Sequence, residues 1–227
     1  MKTQSNKKGS QMDMIISFTL FITALMFIYF LVTSLIINPN NAKNSLGTVE
    51  GNIISSVSSE VWVLRFYNTS SPTCFESTLP ELIAGGQSEG IGNSGPVYSQ
   101  VNGKNVSFNG TGFIKIFYSN KIVNSKPFSG SGCIFISPDS EVKEEMVLQE
   151  NIISLISNFS QNYDVTKNAL GVPSGMDMDI EFKYKNGTII GGGVPTPETN
   201  VYAGSIELNY LSFNGSYETG TFGVKIW

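Results

Sequence analysis

The chain contains no histidine. That removes Ser-His and Cys-His nucleophilic pairs and most zinc hydrolase sites. Carboxylates are the remaining candidates for acid–base or metal chemistry. Asp177, Asp179 and Glu181 alternate along the sequence, and a strand would project all three from one face. Such a row could offer oxygen ligands to calcium or an acid pair to a glycosidase-like reaction. The same spacing also describes a solvated face whose intervening Met178, Ile180 and Phe182 turn to a core, and this is the reading adopted. Gly85-Gly86-Gln87-Ser88 and Gly191-Gly192-Gly193 lack the lysine and helix start of a phosphate loop and read as flexible connections. The expectation is therefore a chain without a cofactor, a metal ligand set or an enzymatic activity.

Two cysteines, Cys74 and Cys133, could form one disulfide in an outward-facing domain or remain two buried thiols. Arg65 is the sole arginine, so clustered bidentate recognition of anions is excluded. The net charge of −4 argues against a nucleic-acid partner. Charged residues make up only 14% of the chain, and Asn, Ser, Thr and Gly supply the polar surface in their place. Glycosylation sequons stand at Asn68, Asn105, Asn109, Asn158, Asn186 and Asn214, against ~4 expected by chance in a chain of this composition.

The elements that would carry these residues are mostly strands. Glu60–Tyr67, Gly112–Ser119, Cys133–Ser137, Met178–Tyr184, Ser205–Tyr210 and Thr221–Trp227 are rich in β-branched and aromatic residues. Asn-Gly pairs at 102–103, 109–110, 186–187 and 214–215 suit the positive φ of type I′ turns, and the last should close a hairpin. Pro138-Asp139-Ser140-Glu141 gives a helix start, followed by Leu148, Ile152, Leu155 and Phe159 at helical spacing. A shorter helix is expected over Leu79–Ala84. Residues 47–59 fit a helix or a strand equally, and Pro195-Thr196-Pro197 reads as a short extended linker.

The N-terminus carries the sharpest signal. Lys2, Lys7 and Lys8 precede Gly9, and the run from Met14 to Ile37 has no charged residue. It exceeds the about 20 apolar residues that cross a bilayer core. The lysines favour a cytoplasmic N-terminus, with the rest of the chain outside. The run is longer than a secretory h-region and lacks a small-x-small cut site, so a plain anchor and a processed assembly helix remain. In the first turn of that helix, Asp13 would meet the positive end of the macrodipole, worth ~0.3–1 kcal/mol. It could pair with a neighbour's α-amino group or sit solvated among headgroups.

Lys7-Lys8-Gly9-Ser10-Gln11-Met12-Asp13, followed by Met14-Ile15-Ile16, resembles the class III signal peptide of archaeal type IV pilin-like proteins. The resemblance implies cleavage by a prepilin-type peptidase after Gly9 or Ser10, with Gln11 and Asp13 near the mature N-terminus. Family members more often place Gln directly after Gly and use Glu. The tail, with Ala169-Leu-Gly-Val-Pro-Ser-Gly175, Asn186-Gly-Thr188, Val201-Tyr-Ala203, Asn209-Tyr210 and Val224-Lys-Ile-Trp227, is loosely similar to pilin-like proteins of small archaea.

The expected fold is α+β: an N-terminal transmembrane helix followed by an outward-facing domain rich in antiparallel β-sheet with one or two helices. The expected boundaries are a basic leader at 1–9, a membrane and assembly helix at 10–37, a linker at 38–47 and the extracellular β-rich domain at 48–227. The expected function is a pilin-like surface subunit that assembles through its helix with other pilin-like subunits and exposes the β domain for adhesion. The alternatives are an anchored extracellular binding module that never polymerises and, third, an anchored glycan-active enzyme.

Overall fold

The computed structural model describes residues 7–35, 39–68, 74–81, 83–93, 95–123, 128, 130, 132–194 and 201–227; side chains are described from 14 to 30 and, in the later ranges, from 44 onward. The chain divides into two compact units, residues 1–42 and 43–227. Several sequence expectations fall outside the described residues: Met1–Asn6 of the leader, Ile36–Asn38 at the end of the apolar run, and the Pro195–Pro197 linker. The side chains of Lys7, Lys8, Gly9, Ser10, Gln11 and Asp13 fall outside them too.

The first unit is dominated by helix α1, Lys7–Leu35, 29 residues without interruption. Lys7–Gly9, read as leader, are therefore already helical. The large apolar side chains from Met14 to Phe30 are exposed. The Thr19 hydroxyl donates to Ile15 O and the Thr23 hydroxyl to Thr19 O, each at 2.9 Å. Both are thus satisfied by their own helix. Among the described residues no helix is long and apolar enough to cross a membrane.

Helix α2, Pro39–Val57, occupies most of the stretch read as a linker. Proline suits a first helical position because its missing N–H would have no partner there. The stripe at Val49, Ile53 and Val57 then supplies a buried face, each residue being fully enclosed, while Ile54 stays exposed. This resolves residues 47–59 in favour of a helix that passes directly into a strand at Ser58.

In the second unit, nine strands form one sheet, ordered β11-β10-β13-β12-β9-β1-β7-β3-β4. Its members are β1 (Ser58–Asn68), β3 (Gln87–Gly92), β4 (Gly95–Val97), β7 (Gly112–Ser119), β9 (Ser140–Leu148), β10 (Met178–Tyr184), β11 (Ile189–Gly191), β12 (Tyr202–Leu211) and β13 (Tyr217–Ile226). Every neighbouring pair is antiparallel except β9 and β12, which run parallel and share only Val147↔Tyr210 and Leu148↔Leu211. A second sheet, β5-β6-β2-β8, is built from β2 (Phe75–Thr78), β5 (Ser99–Asn102), β6 (Asn105–Phe108) and β8 (Ile134–Phe135). The fold is mixed α+β with antiparallel-rich sheets.

Strand β1 is buried on both faces, and its near-continuous apolar run reflects that. Leu64 and Phe66 on one face join Ile114, Ile116 and Tyr118 of β7 beneath Phe75, Val106 and Phe108 of the second sheet. Phe66 and Phe108 stack with centroids 4.6 Å apart. Val61 and Val63 on the other face meet Phe117, Met146, Leu148 and Leu211. Cys74 and Cys133 form a disulfide, with Cα atoms 4.5 Å apart, beside the parallel β2–β8 pair.

Three further expectations, all in the second unit, need correction. Residues 140–148 are a strand, and the helix, α3 (Gln149–Gln161), begins eight residues beyond Glu141, where the expected start signal ends. The capping signal at Pro138–Glu141 loses to cross-strand charge pairs with β1: Glu144 with Arg65 at 2.6 Å and Lys143 with Glu60 at 2.8 Å. Of the expected stripe, Ile152, Leu155 and Phe159 are buried in the helix together with Ile156, whereas Leu148 is the last residue of β9. The described residues of 79–84 are not helical, because Ile83 is held by Tyr118, whose hydroxyl accepts from the Ile83 N–H at 2.8 Å. A further helix, α4 (Tyr163–Ala169), carries no signal read from the sequence.

The Asn-Gly pairs are the third correction. Asn102 ends β5 opposite Asn105, so the two-residue loop to β6 is Gly103-Lys104 and not the Asn-Gly pair. Asn109-Gly110 joins strands of different sheets and closes no hairpin. Asn186-Gly187 and Asn214-Gly215 do close hairpins, as the last two residues of three-residue loops. Gly187 N–H donates to Tyr184 O and Tyr184 N–H to Thr188 O, with Gly187 at φ +87°; Gly215 at φ +78° repeats the pattern between Ser212 and Ser216. This is a type I turn closed by a left-handed glycine, and only the second residue of each pair needs positive φ.

Candidate functional site

The carboxylate row keeps its alternation but not its solvation. Met178, Ile180 and Phe182 are fully buried against Ile226, Val224 and Phe222 of β13. Asp177, just before the strand, is exposed and accepts hydrogen bonds from the Tyr163 hydroxyl and the Lys167 ammonium, both at 3.1 Å. The Lys167 ammonium, ahead of the Tyr163 hydroxyl, holds the Asp177 carboxyl below its ordinary range. Asp179 is only 4% exposed. Its partner is Lys225, 3.9 Å away on β13, and the Gly191–Gly193 segment folds back over it, tied by Gly192 N–H to Ile180 O. Glu181 is half-buried, with its side chain against Gly192 and Gly223, so the three acids occupy three different environments. Among the described residues no group of three or more acidic or sulfur ligands is arranged to hold a metal ion.

The sequons also separate by environment. Asn158, Asn186 and Asn214 are exposed, whereas Asn68, Asn105 and Asn109 are half-buried. The Asn105 amide nitrogen, where a glycan would attach, already donates to Glu76 at 2.8 Å. Asn109 uses its side-chain oxygen to accept from the Tyr98 N–H at 3.0 Å.

A cavity of the second unit lies between the two hairpin tips and the start of α3. It is open, encloses about 530 Å³ and is lined by Gln149, Lys185, Asn186 and Asn214, with Tyr184, Tyr210 and Glu218 at its aromatic and acidic end. That volume falls within the roughly 300–1,000 Å³ of small-molecule pockets. The lining residues Tyr184 and Tyr210 meet edge-to-face at 6.0 Å and are backed by buried Phe182, 5.0 Å from Tyr184 and 5.6 Å from Tyr210. These rings are positioned because β10 and β12 both pair with β13, which sets Phe182 beside Phe222 and Tyr210 beside Glu218.

The polar groups are fixed by the loops. Gln149 Oε1 accepts from the Phe213 N–H at 3.0 Å, and Asn186 Oδ1 accepts from the Thr188 N–H at 2.9 Å. Asn214 Oδ1 accepts from the Ser216 N–H at 3.0 Å and from the hydroxyls of Ser212 and Ser216. In all three amides the oxygen is committed to loop structure, and the NH₂ group carries no hydrogen bond among the described residues. Lys185 is exposed at the rim. Glu218 accepts from the Tyr210 hydroxyl at 2.9 Å, and the Ser216 oxygen, whose proton goes to Asn214, lies 3.3 Å from it. Burial first, and the Glu218 bond second, push the Tyr210 hydroxyl well above the ordinary tyrosine range, so it stays a donor. A single carboxylate that already holds the Tyr210 hydroxyl is not the carboxylate pair that glycoside hydrolysis uses.

Comparisons with protein-family models, curated proteins and solved structures find no match. The sequence singled out Asn186 and Asn214 but not their convergence, nor Gln149, Tyr184, Lys185, Tyr210 or Glu218. The Asn-Gly dipeptides were the only signal pointing to this end of the sheet.

Proposed function

We propose that the protein is a membrane-inserted, type IV pilin-like surface subunit that presents its β-rich unit outside the cell. The observation that carries this reading is α1: a continuous helix whose described apolar side chains, Met14 to Phe30, are all exposed, within a charge-free run that continues to Ile37. So much apolar surface needs lipid or neighbouring helices to cover it. The internally bonded Thr19 and Thr23 suit an apolar surrounding, because neither hydroxyl enters it unpaired. The disulfide of the second unit suits an oxidising exterior. The lysines before Gly9 favour an N-terminus on the cytoplasmic side. Lys7, Lys8, Gly9, Ser10 and Gln11 would form the recognition site of a prepilin-type peptidase, and the helix would serve lipid before assembly and other subunits afterwards. Asp13 would pair with a neighbouring α-amino group.

Co-expression of the full chain with a prepilin-type peptidase, followed by N-terminal sequencing, tests the reading. The expected mature N-terminus lies directly after Gly9 or Ser10; an intact Met1, or a cut beyond Ile37, removes it. Ile22→Lys then separates an assembly helix from a simple anchor. Filament incorporation should be lost with the β unit still folded, whereas unchanged surface display and no filaments in either form would leave the anchored binding module.

A further inference from the structure

We propose that the cleft between the β10–β11 and β12–β13 hairpin tips is a saccharide-binding site. The inference concerns the second unit alone and holds whether or not α1 polymerises. Three amide NH₂ groups, from Gln149, Asn186 and Asn214, line one cavity with their oxygens already committed to the loops. Because those bonds fix each amide plane, the donors are oriented before a ligand arrives, and little rotamer entropy is lost on binding. The Lys185 ammonium adds a further donor at the rim. Such a donor-rich lining selects a ligand dense in acceptor oxygens. The aromatic end, with Tyr184 half-exposed beside buried Tyr210, offers an apolar ring surface next to those donors. A sugar ring combines an apolar C–H face with a rim of hydroxyl and ring oxygens, and it matches both features. A peptide strand fits less well: the cleft lies at loop tips and offers no run of backbone donors and acceptors to extend a sheet.

The full chain, produced without glycosylation in dodecylphosphocholine micelles so that no sugar-headed detergent competes, would be titrated with maltotriose, chitotriose and trigalacturonic acid. Proton–nitrogen NMR spectra would follow the side-chain amides. At least one of the three should shift the NH₂ signals of Gln149, Asn186 and Asn214 together and saturably. The triple variant Gln149→Glu, Asn186→Asp, Asn214→Asp keeps each loop-bonding oxygen and removes each donor. It should bind that saccharide at least tenfold more weakly. Absence of binding by all three probes, shifts confined to other residues, or equal affinity in a folded triple variant would each overturn the proposal. Should the variant not fold, the wild-type shift pattern decides.

Discussion

Breaking the Cys74–Cys133 bridge gives the most calculable perturbation of the second unit. The two residues are 59 apart in sequence, and the bridge closes a loop holding β2 through β7. In the chain-entropy description, a loop of this length restricts the denatured ensemble by about 4 kcal/mol at 25 °C. At about 2.1 cal/mol/K of unfolding entropy per residue over residues 43–227, that loss lowers Tm by about 10 °C. The cleanest comparison is oxidised against reduced wild type, since reduction leaves every atom of buried Cys74 in place. A Cys74→Ala/Cys133→Ala variant serves as a second arm. Trp62 and Trp227 both lie in this unit and report its denaturant unfolding by fluorescence. The unfolding free energy should fall by about 4 kcal/mol, and the denaturant dependence should steepen as the freed loop expands the denatured state. A loss below about 1 kcal/mol with an unchanged slope would refute the loop-entropy reasoning.

Two further outcomes follow from the geometry. Gly215→Ala forces a Cβ to within 2.8 Å of the Gly90 carbonyl oxygen at φ +78°, so backbone has to move. It should cost about 1–3 kcal/mol in denaturant unfolding, within the range for strained backbone; a neutral result would mean that the hairpin tip does not pack on β3. The Asp177 carboxyl has its folded pKa depressed, so its contribution is present above the unfolded value near 3.9 and is lost as pH falls through the folded value. With Asp177 exposed, Asp177→Asn should destabilise by no more than about 1 kcal/mol at pH 7 and by less at pH 2. Equal effects at both pH values would sink the electrostatic account.

The strands were legible where one pattern dominates. Gly112–Ser119 and Met178–Tyr184 read as strands from β-branched and aromatic content, and they occupy those bounds. The stripe Ile152, Leu155 and Phe159 marked a helix for the same reason. Its start was misread because a local capping signal at Pro138–Glu141 carries no record of Arg65 and Glu60, the distant partners that hold β9 extended. Burial of Asp179 was illegible in the same way, since it depends on Gly192 returning to Ile180 and on Lys225 in another strand. The cleft draws on residues 149, 184–188 and 210–218, three segments that only the pairing of β10 and β12 with β13 brings together.

The short parallel contact between β9 and β12 has a consequence for solubility. Because those strands share only two registered pairs, most of β9 has no strand partner, among the described residues, on the side away from β1. An open strand of this length is a template for pairing with another chain. Glu141, Lys143, Glu144 and Glu145 populate that exposed stretch. A second molecule approaching with the same strand would bring like charges together, so the acids that obscured the helix start in the sequence also guard against sheet-to-sheet aggregation.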